Sequence, residues 1–186
     1  MSDRTKKALE QSLKNMMKKK PLDKITIADI TNDCGVSRMS FYYYFRDIYD
    51  LVEWSMLVDA MQAVQGNETA DTWHEGLLGI FEAVERNKEV ILNAHKNMPR
   101  IRMENFLWKL TYGFLMGVVN EKSAGTKIDE EDKAFIADFY KYSFVGILMH
   151  WIDGGMKEDH RVLAEKMETT LQGNIGNSIQ NFLHKQ

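Results

Sequence analysis

Apolar residues along this chain recur at helical spacing, and strand-like alternation is scarce. Leu9, Leu13 and Met16 or Met17 form an i, i+4, i+7/8 stripe, which predicts an amphipathic helix over residues 3–19. Pro21 ends it, because proline disfavours a helical residue before it. Ile27, Ile30 and Cys34 form a second, shorter stripe. Thr26 stands in front of that stripe as a cap, with Asp29 three residues on. Gly35 suits the left-handed position after the helix, and Val36 is a lone apolar plug in the turn. Ser37 caps a third helix whose Phe41 and Phe45 face inward, four residues apart.

Further on, Asp47 opens a helix to about residue 65 with Leu51, Trp54, Val58 and Met61 on one face. Gly66-Asn67-Glu68 breaks it. Asp71 or Thr72 restarts a helix to about 86, with Leu77, Ile80, Phe81 and Val84 as its stripe. A short helix holds Val90, Ile91 and Leu92, and Pro99 begins another over about 99–121. Asp129 opens a long helix to about 152, closed by Gly154-Gly155. A final helix is expected over about 158–184, with Leu163, Met167, Leu171, Ile175, Ile179 and Phe182 on its stripe. The fold class is therefore all-α.

Composition narrows this. At 186 residues, 44% hydrophobic and 27% charged, the chain is long enough for a real core and ordinary for a globular protein. It has no run of 18 apolar residues and no apolar leader at its N-terminus, so no membrane partner is expected. Cys34 is the only cysteine, which suits a reducing, cytoplasmic setting. Net charge is −3, but its distribution is uneven. Residues 1–46 hold ten Lys/Arg against five Asp/Glu, and the remainder holds fourteen against twenty-two. A basic head on an acidic body fits one end that meets phosphate.

Two short helices around a tight glycine turn form a helix-turn-helix, whose second helix enters the major groove of DNA. The run Phe41-Tyr42-Tyr43-Tyr44-Phe45 holds more tyrosine than a core needs. Residues 25–51, from Ile-Thr-Ile-Ala-Asp-Ile through Gly-Val-Ser-Arg-Met-Ser-Phe-Tyr-Tyr-Tyr-Phe to Arg-Asp-Ile-Tyr-Asp-Leu, resemble the DNA-binding signature of the tetracycline-repressor-like (TetR) family of bacterial regulators. A weaker run at 140–156 is similar to the C-terminal region of a subgroup that includes regulators of dihydroxyacetone-kinase operons.

Side-chain chemistry and that resemblance together imply roles for the head. Arg38 reads guanine through a bidentate fork. Met39 and Ser40 make thymine-methyl and weaker polar contacts, and Tyr42 reaches a phosphate or a thymine methyl. Ser37 opens the reading helix, Tyr43 and Tyr44 are phosphate candidates, and Thr26 offers a hydroxyl and helix-start N–H groups to phosphate. The family usually carries lysine where this chain has Ile48, so Arg46 is the candidate substitute. Cys34, where the family often has alanine, reads as a small buried hydrophobe.

The resemblance divides the chain into residues 1–46, a DNA-binding head, and 47–186, an effector-binding and dimerisation body. In the family two helices of each subunit commonly form a four-helix bundle, and the last two helices are the candidates here. Gly146, Leu171, Ile175, Ile179 and Phe182 are the interface candidates here, with Gly146, Gly173 and Gly176 allowing close approach. Methionines and aromatics in the body suggest an adaptable, mainly apolar pocket, for which Trp54, Met103, Trp108, Tyr112, Met116, Tyr142 and His150 are the candidates.

Enzymatic readings find little support. The chain has no GxSxG, no phosphate-cradling glycine loop and no HExxH; its histidines lack metal-ligand spacing, so no cofactor or metal is expected. The expectation is a homodimeric repressor whose grip on a near-palindromic double-stranded operator is modulated by a small-molecule effector. An activator or co-regulator acting by protein contact, and a helical binding protein with a degenerate head, are the alternatives.

Overall fold

The computed structural model describes residues 2–67, 69 and 71–184, and all regular elements among them are helices. They are α1 (Ser2–Met17), α2 (Ile27–Cys34), α3 (Arg38–Tyr44), α4 (Ile48–Val64), α5 (Trp73–Arg86), α6 (Lys88–Asn97), α7 (Arg100–Lys122), α8 (Glu130–Asp153), α9 (His160–Leu171) and α10 (Asn174–Leu183). A 3-10 turn, Leu22–Lys24, joins α1 to α2. The all-helical expectation holds. Glu68, expected in the break after α4, lies outside the described residues.

Two compact units emerge. The first gathers residues up to 59 with 87–103, and the second gathers 60–86 with 104 onward. In the first, α1 packs on α2 and α6, and α2 packs on α3. Its centre is Leu9, Leu13, Leu22, Ile30, Phe41 and Leu51, all essentially without solvent contact. Leu9, Leu13, Ile30, Phe41 and Leu51 lie on the predicted stripes of α1, α2, α3 and α4, so helical periodicity placed them, whereas Leu22 comes from the 3-10 turn. The buried hydroxyl of Ser12 donates to Asp33 Oδ2 at 2.7 Å and fixes α1 against α2.

In the second unit α5 packs on α9, and α10 packs on α8. Phe81 of α5 meets the Trp151 ring edge-on at 5.3 Å, and the Trp151 indole N–H donates to the Glu158 carbonyl at 2.9 Å. Gly79 sits where α5 crosses α4. A Cβ there would lie 2.5 Å from the Ala63 carbonyl oxygen, so only glycine permits this approach. The glycines expected from sequence to allow close packing behave differently within the subunit: a Cβ at Gly146 or Gly176 meets open space.

The single helix expected over 158–184 is two helices. Gly173 takes φ 75, and the chain breaks between Leu171 and Asn174. The apolar repeat runs unbroken through this point, so periodicity gave no warning. The break lets α9 serve α5 while α10 serves α8.

Candidate nucleic-acid interface

Local chemistry builds the reading unit. Thr26 Oγ1 accepts from the Asp29 N–H at 3.1 Å, and Asp29 Oδ2 accepts from the Thr26 N–H at 2.9 Å, a reciprocal capping box. Those hydrogen bonds, with the Lys20 ammonium at 2.9 Å, hold the Asp29 carboxyl at a pKa of about 2. Gly35 closes α2 at φ 67, the left-handed position its side-chain-free backbone reaches without strain. Ser37 then caps α3 by accepting from the Ser40 N–H at 3.0 Å.

The faces of α3 are cleanly divided. Phe41 and Phe45 are buried, whereas Met39 is 84% and Tyr43 81% exposed. Arg38, Tyr42 and Ser37 are exposed as well, and Ser40 is half-buried. Arg38, Met39, Ser40, Tyr42 and Tyr43 therefore share one short helix whose apolar face is already satisfied. Tyr44 is the exception. It is half-buried, with its ring edge against Tyr43 at 4.9 Å and the Lys6 ammonium 5.6 Å from its centroid.

Of the basic residues of α1 and its C-terminal turn, several have structural work. Lys14 is held between Glu10 at 2.8 Å and Asp59 at 2.9 Å. Lys6 lies over the rings of Tyr44 and Trp54. Lys18 and Lys19 stay exposed. Arg46, the candidate replacement for a lysine at Ile48, has its side chain on Asp50, with Nε–Oδ2 at 2.8 Å and Nη2–Oδ1 at 3.0 Å. A phosphate has to compete with that carboxylate, whose own pKa Arg46 holds below the ordinary range.

Two tethers that sequence reasoning missed position this head. Asn93 of α6 donates to the carbonyls of Met17 at 2.6 Å and Lys20 at 2.8 Å, and accepts from the Leu22 N–H at 2.8 Å. Arg102 of α7 reaches Glu53 at 2.5 Å, Asp47 at 2.8 Å and Asp50 at 2.6 Å at the start of α4, and lies 5.3 Å from the Tyr49 ring centroid. Burial opposes the Arg102 charge, but the carboxylates outweigh it and raise its pKa.

The pocket candidates are dispersed. Trp54 and Met103 belong to the first unit, where Trp54 takes the Phe45 ring at 5.9 Å and Met103 is buried. Trp108 and Tyr142 meet edge-on at 5.6 Å, and the Lys141 ammonium lies near the rings of Tyr142 and Tyr112. Met116 is half-buried on α7. His150 lines an open groove beside α9. A separate cavity of about 100 Å³ is walled by α4, α5, α7 and α8, and none of those seven residues lines it. Its lining includes Met61, Leu77, Phe81, Leu107, Phe114 and Phe144; Met61, Phe81 and Phe114 are among the body's methionines and aromatics that suggest a pocket, though not among its seven candidates.

The interface candidates divide too. Ile175 and Ile179 are buried inside the subunit, Ile179 at 1% exposure, with the Ser178 and Tyr140 hydroxyl oxygens 3.1 Å apart beside them. Phe182 meets Phe135 at 6.2 Å between ring centroids. Gly146 and Leu171 line the open groove, and α8 exposes Phe135 and Phe139. Among the described residues no helix is long and apolar enough to cross a membrane.

Residues 13–53 match the family of bacterial regulatory proteins of the tetR type, and residues 71–173 match a transcriptional regulator C-terminal region. The HTH-type dhaKLM operon transcriptional activator DhaS of Lactococcus lactis subsp. lactis (strain IL1403) is 23% identical over 141 residues, 73% of this chain and 72% of that protein. A solved structure of a dihydroxyacetone kinase operon activator DhaS aligns at TM-score 0.70 and 19% identity, covering 92% of this chain and 96% of that one. At that identity the structural likeness speaks for the fold: an N-terminal helix-turn-helix followed by a helical domain. With a helix-turn-helix head and family matches over head and body, the chain belongs to the TetR family of DNA-binding transcription regulators, which are not enzymes.

Proposed function

We propose that two copies of this chain bind a near-palindromic operator as a homodimer. Each copy places α3 in a major groove, on half-sites separated by about 34–36 Å or more. One observation carries this reading: α3 has a buried phenylalanine face, and its opposite face holds Arg38, Met39, Tyr42 and Tyr43 in solvent. Arg38 reads guanine, Met39 and Ser40 make the weaker base contacts, and Thr26, Ser37, Tyr42, Tyr43, Tyr44 and Arg46 position the backbone. Residues 1–46 do the reading, and residues 47–186 pair the subunits and take a small effector. The protein acts in the cytoplasm, where its DNA is.

The dimer surface in this reading is the outward face of α8 with the groove beside it, where Phe135, Phe139, Gly146 and Leu171 lie. Occupied promoter DNA blocks transcription, and effector binding releases it. A second reading, activation from the bound operator, is favoured by the likeness in sequence and in fold to DhaS, an operon activator. Selection from random duplex DNA at near-physiological salt tests the common core of both. A two-fold symmetric site is expected, and no enrichment by folded dimer removes the reading. A reporter driven from that site then separates repression from activation by the sign of the change.

A further inference from the structure

We propose that the cavity among α4, α5, α7 and α8 takes a compact, uncharged, apolar molecule, no larger than a fused pair of aromatic rings or a short alkyl chain. This inference rests on the effector-binding reading above and names the chemistry of its ligand. Among the described residues, Thr111 is the only one lining it whose side chain carries an oxygen or nitrogen, and none that lines it is charged. The other walls are aliphatic or aromatic, from Ala60, Leu77 and Leu110 to Phe114 and Phe144.

Size and polarity then select the ligand. An apolar cavity of about 150 Å³ lined by Leu, Ile and Phe stays dry and accepts benzene. The present one is about 100 Å³, and Met61, 61% exposed, is part of its lining. A thioether on an unbranched stem adapts to guests of different shape. A polyol entering here strips water from every hydroxyl and finds one partner. A carboxylate or ammonium finds no counter-charge. Glycerol-like and ionised molecules are therefore excluded by the walls rather than by size. Gly79 makes the enclosure, because it lets α5 close on Ala63 of α4.

The test uses the full-length protein with indole, 1-hexanol, glycerol and benzoate, read by calorimetry and by thermal melting. Indole or 1-hexanol should bind saturably and raise the melting midpoint by a few degrees, with glycerol and benzoate inert at equal concentration. Two cavity-narrowing variants, Ala60→Leu and Leu148→Phe, should each weaken that binding about tenfold or more while melting cooperatively; either suffices if the other fails to fold. Absence of binding by both apolar probes, equal binding of glycerol or benzoate, or unchanged affinity in the folded variants overturns the proposal. Operator affinity with and without the probe separates the two claims. Cavity binding that leaves operator affinity unchanged upholds the ligand chemistry and removes the effector role. Modulation by indole that persists in both narrowed variants upholds an effector and overturns this site.

Discussion

The Leu22 N–H donates to the side-chain carbonyl of Asn93 at 2.8 Å, across 71 positions of sequence. The same Asn93 amide caps the carbonyls of Met17 and Lys20, and Asn97 donates to its oxygen at 2.9 Å. One side chain on α6 thus completes the end of α1 and fixes the turn that leads into α2. Asn93→Ala should lower the stability of the folded chain by about 1–3 kcal/mol, because it strands polar backbone groups in a half-buried place. Chemical denaturation of the two proteins measures it; equal midpoints and slopes would remove Asn93 as a tether.

Arg102 holds together three carboxylates that repel one another without it. Arg102→Met should cost about 1–2 kcal/mol at low salt and less at 1 M salt, where screening weakens both attraction and repulsion. Thermal melts across ionic strength read this directly. A loss that is independent of salt assigns Arg102 a packing role on Tyr49 instead.

The capping box makes the head sensitive to acid. The Asp29 carboxyl sits at about 2 in the folded chain, against about 3.9 for an unstructured aspartate. A lowered folded value means that its contribution is complete above about pH 4 and is lost as pH falls towards 2. Asp29→Asn should flatten that part of the stability profile, and an unchanged acid limb would refute the assignment. Thr26→Ala, which removes the other half of the box, should cost about 1 kcal/mol at neutral pH.

At the reading face, Arg38→Ala should cost about 1–3 kcal/mol in specific binding and relax base preference in its half-site. A competition assay against scrambled duplex measures both. Unchanged selectivity would take Arg38 out of the reading set.

Subunit pairing is best probed on α8. Phe139→Glu changes a side chain that is 61% exposed, so it should leave the fold intact and yield monomers with weakened operator binding. Ile175→Glu places a charge in the contact of α10 with α8 and should unfold the C-terminal segment instead. Sedimentation with circular dichroism distinguishes the two, and a dimeric Phe139→Glu protein would exclude this face.

The head was legible in the sequence because its determinants are local. Thr26 with Asp29, Gly35, and Ser37 with Ser40 act within three or four residues, and Phe41 and Phe45 declare their burial by spacing. Asn93 and Arg102 were not legible, since their partners lie about 50 to 70 positions away and nothing in an isolated Asn or Arg points to them. The cavity was hidden for a different reason. A stripe such as Leu77, Ile80, Phe81 states that a face is buried but not whether it is filled. Richness in aromatics drew attention to Trp108, Tyr112 and Tyr142; Trp108 meets Tyr142 edge-on, and Tyr112 and Tyr142 each lie by the Lys141 ammonium. The break at Gly173 was masked by an apolar repeat that continues across it.

The void beside Thr111 also bears on how long the protein lasts. Apolar walls around about 100 Å³ leave contacts unmade that a fitting apolar guest would make. A guest that fills it makes those contacts, so the empty chain opens more often and meets proteases more often than the occupied one. On the proposed effector reading, supply of the guest would set the number of regulator molecules as well as their state. Pulse proteolysis with and without indole measures the difference, and identical cleavage rates would uncouple turnover from occupancy.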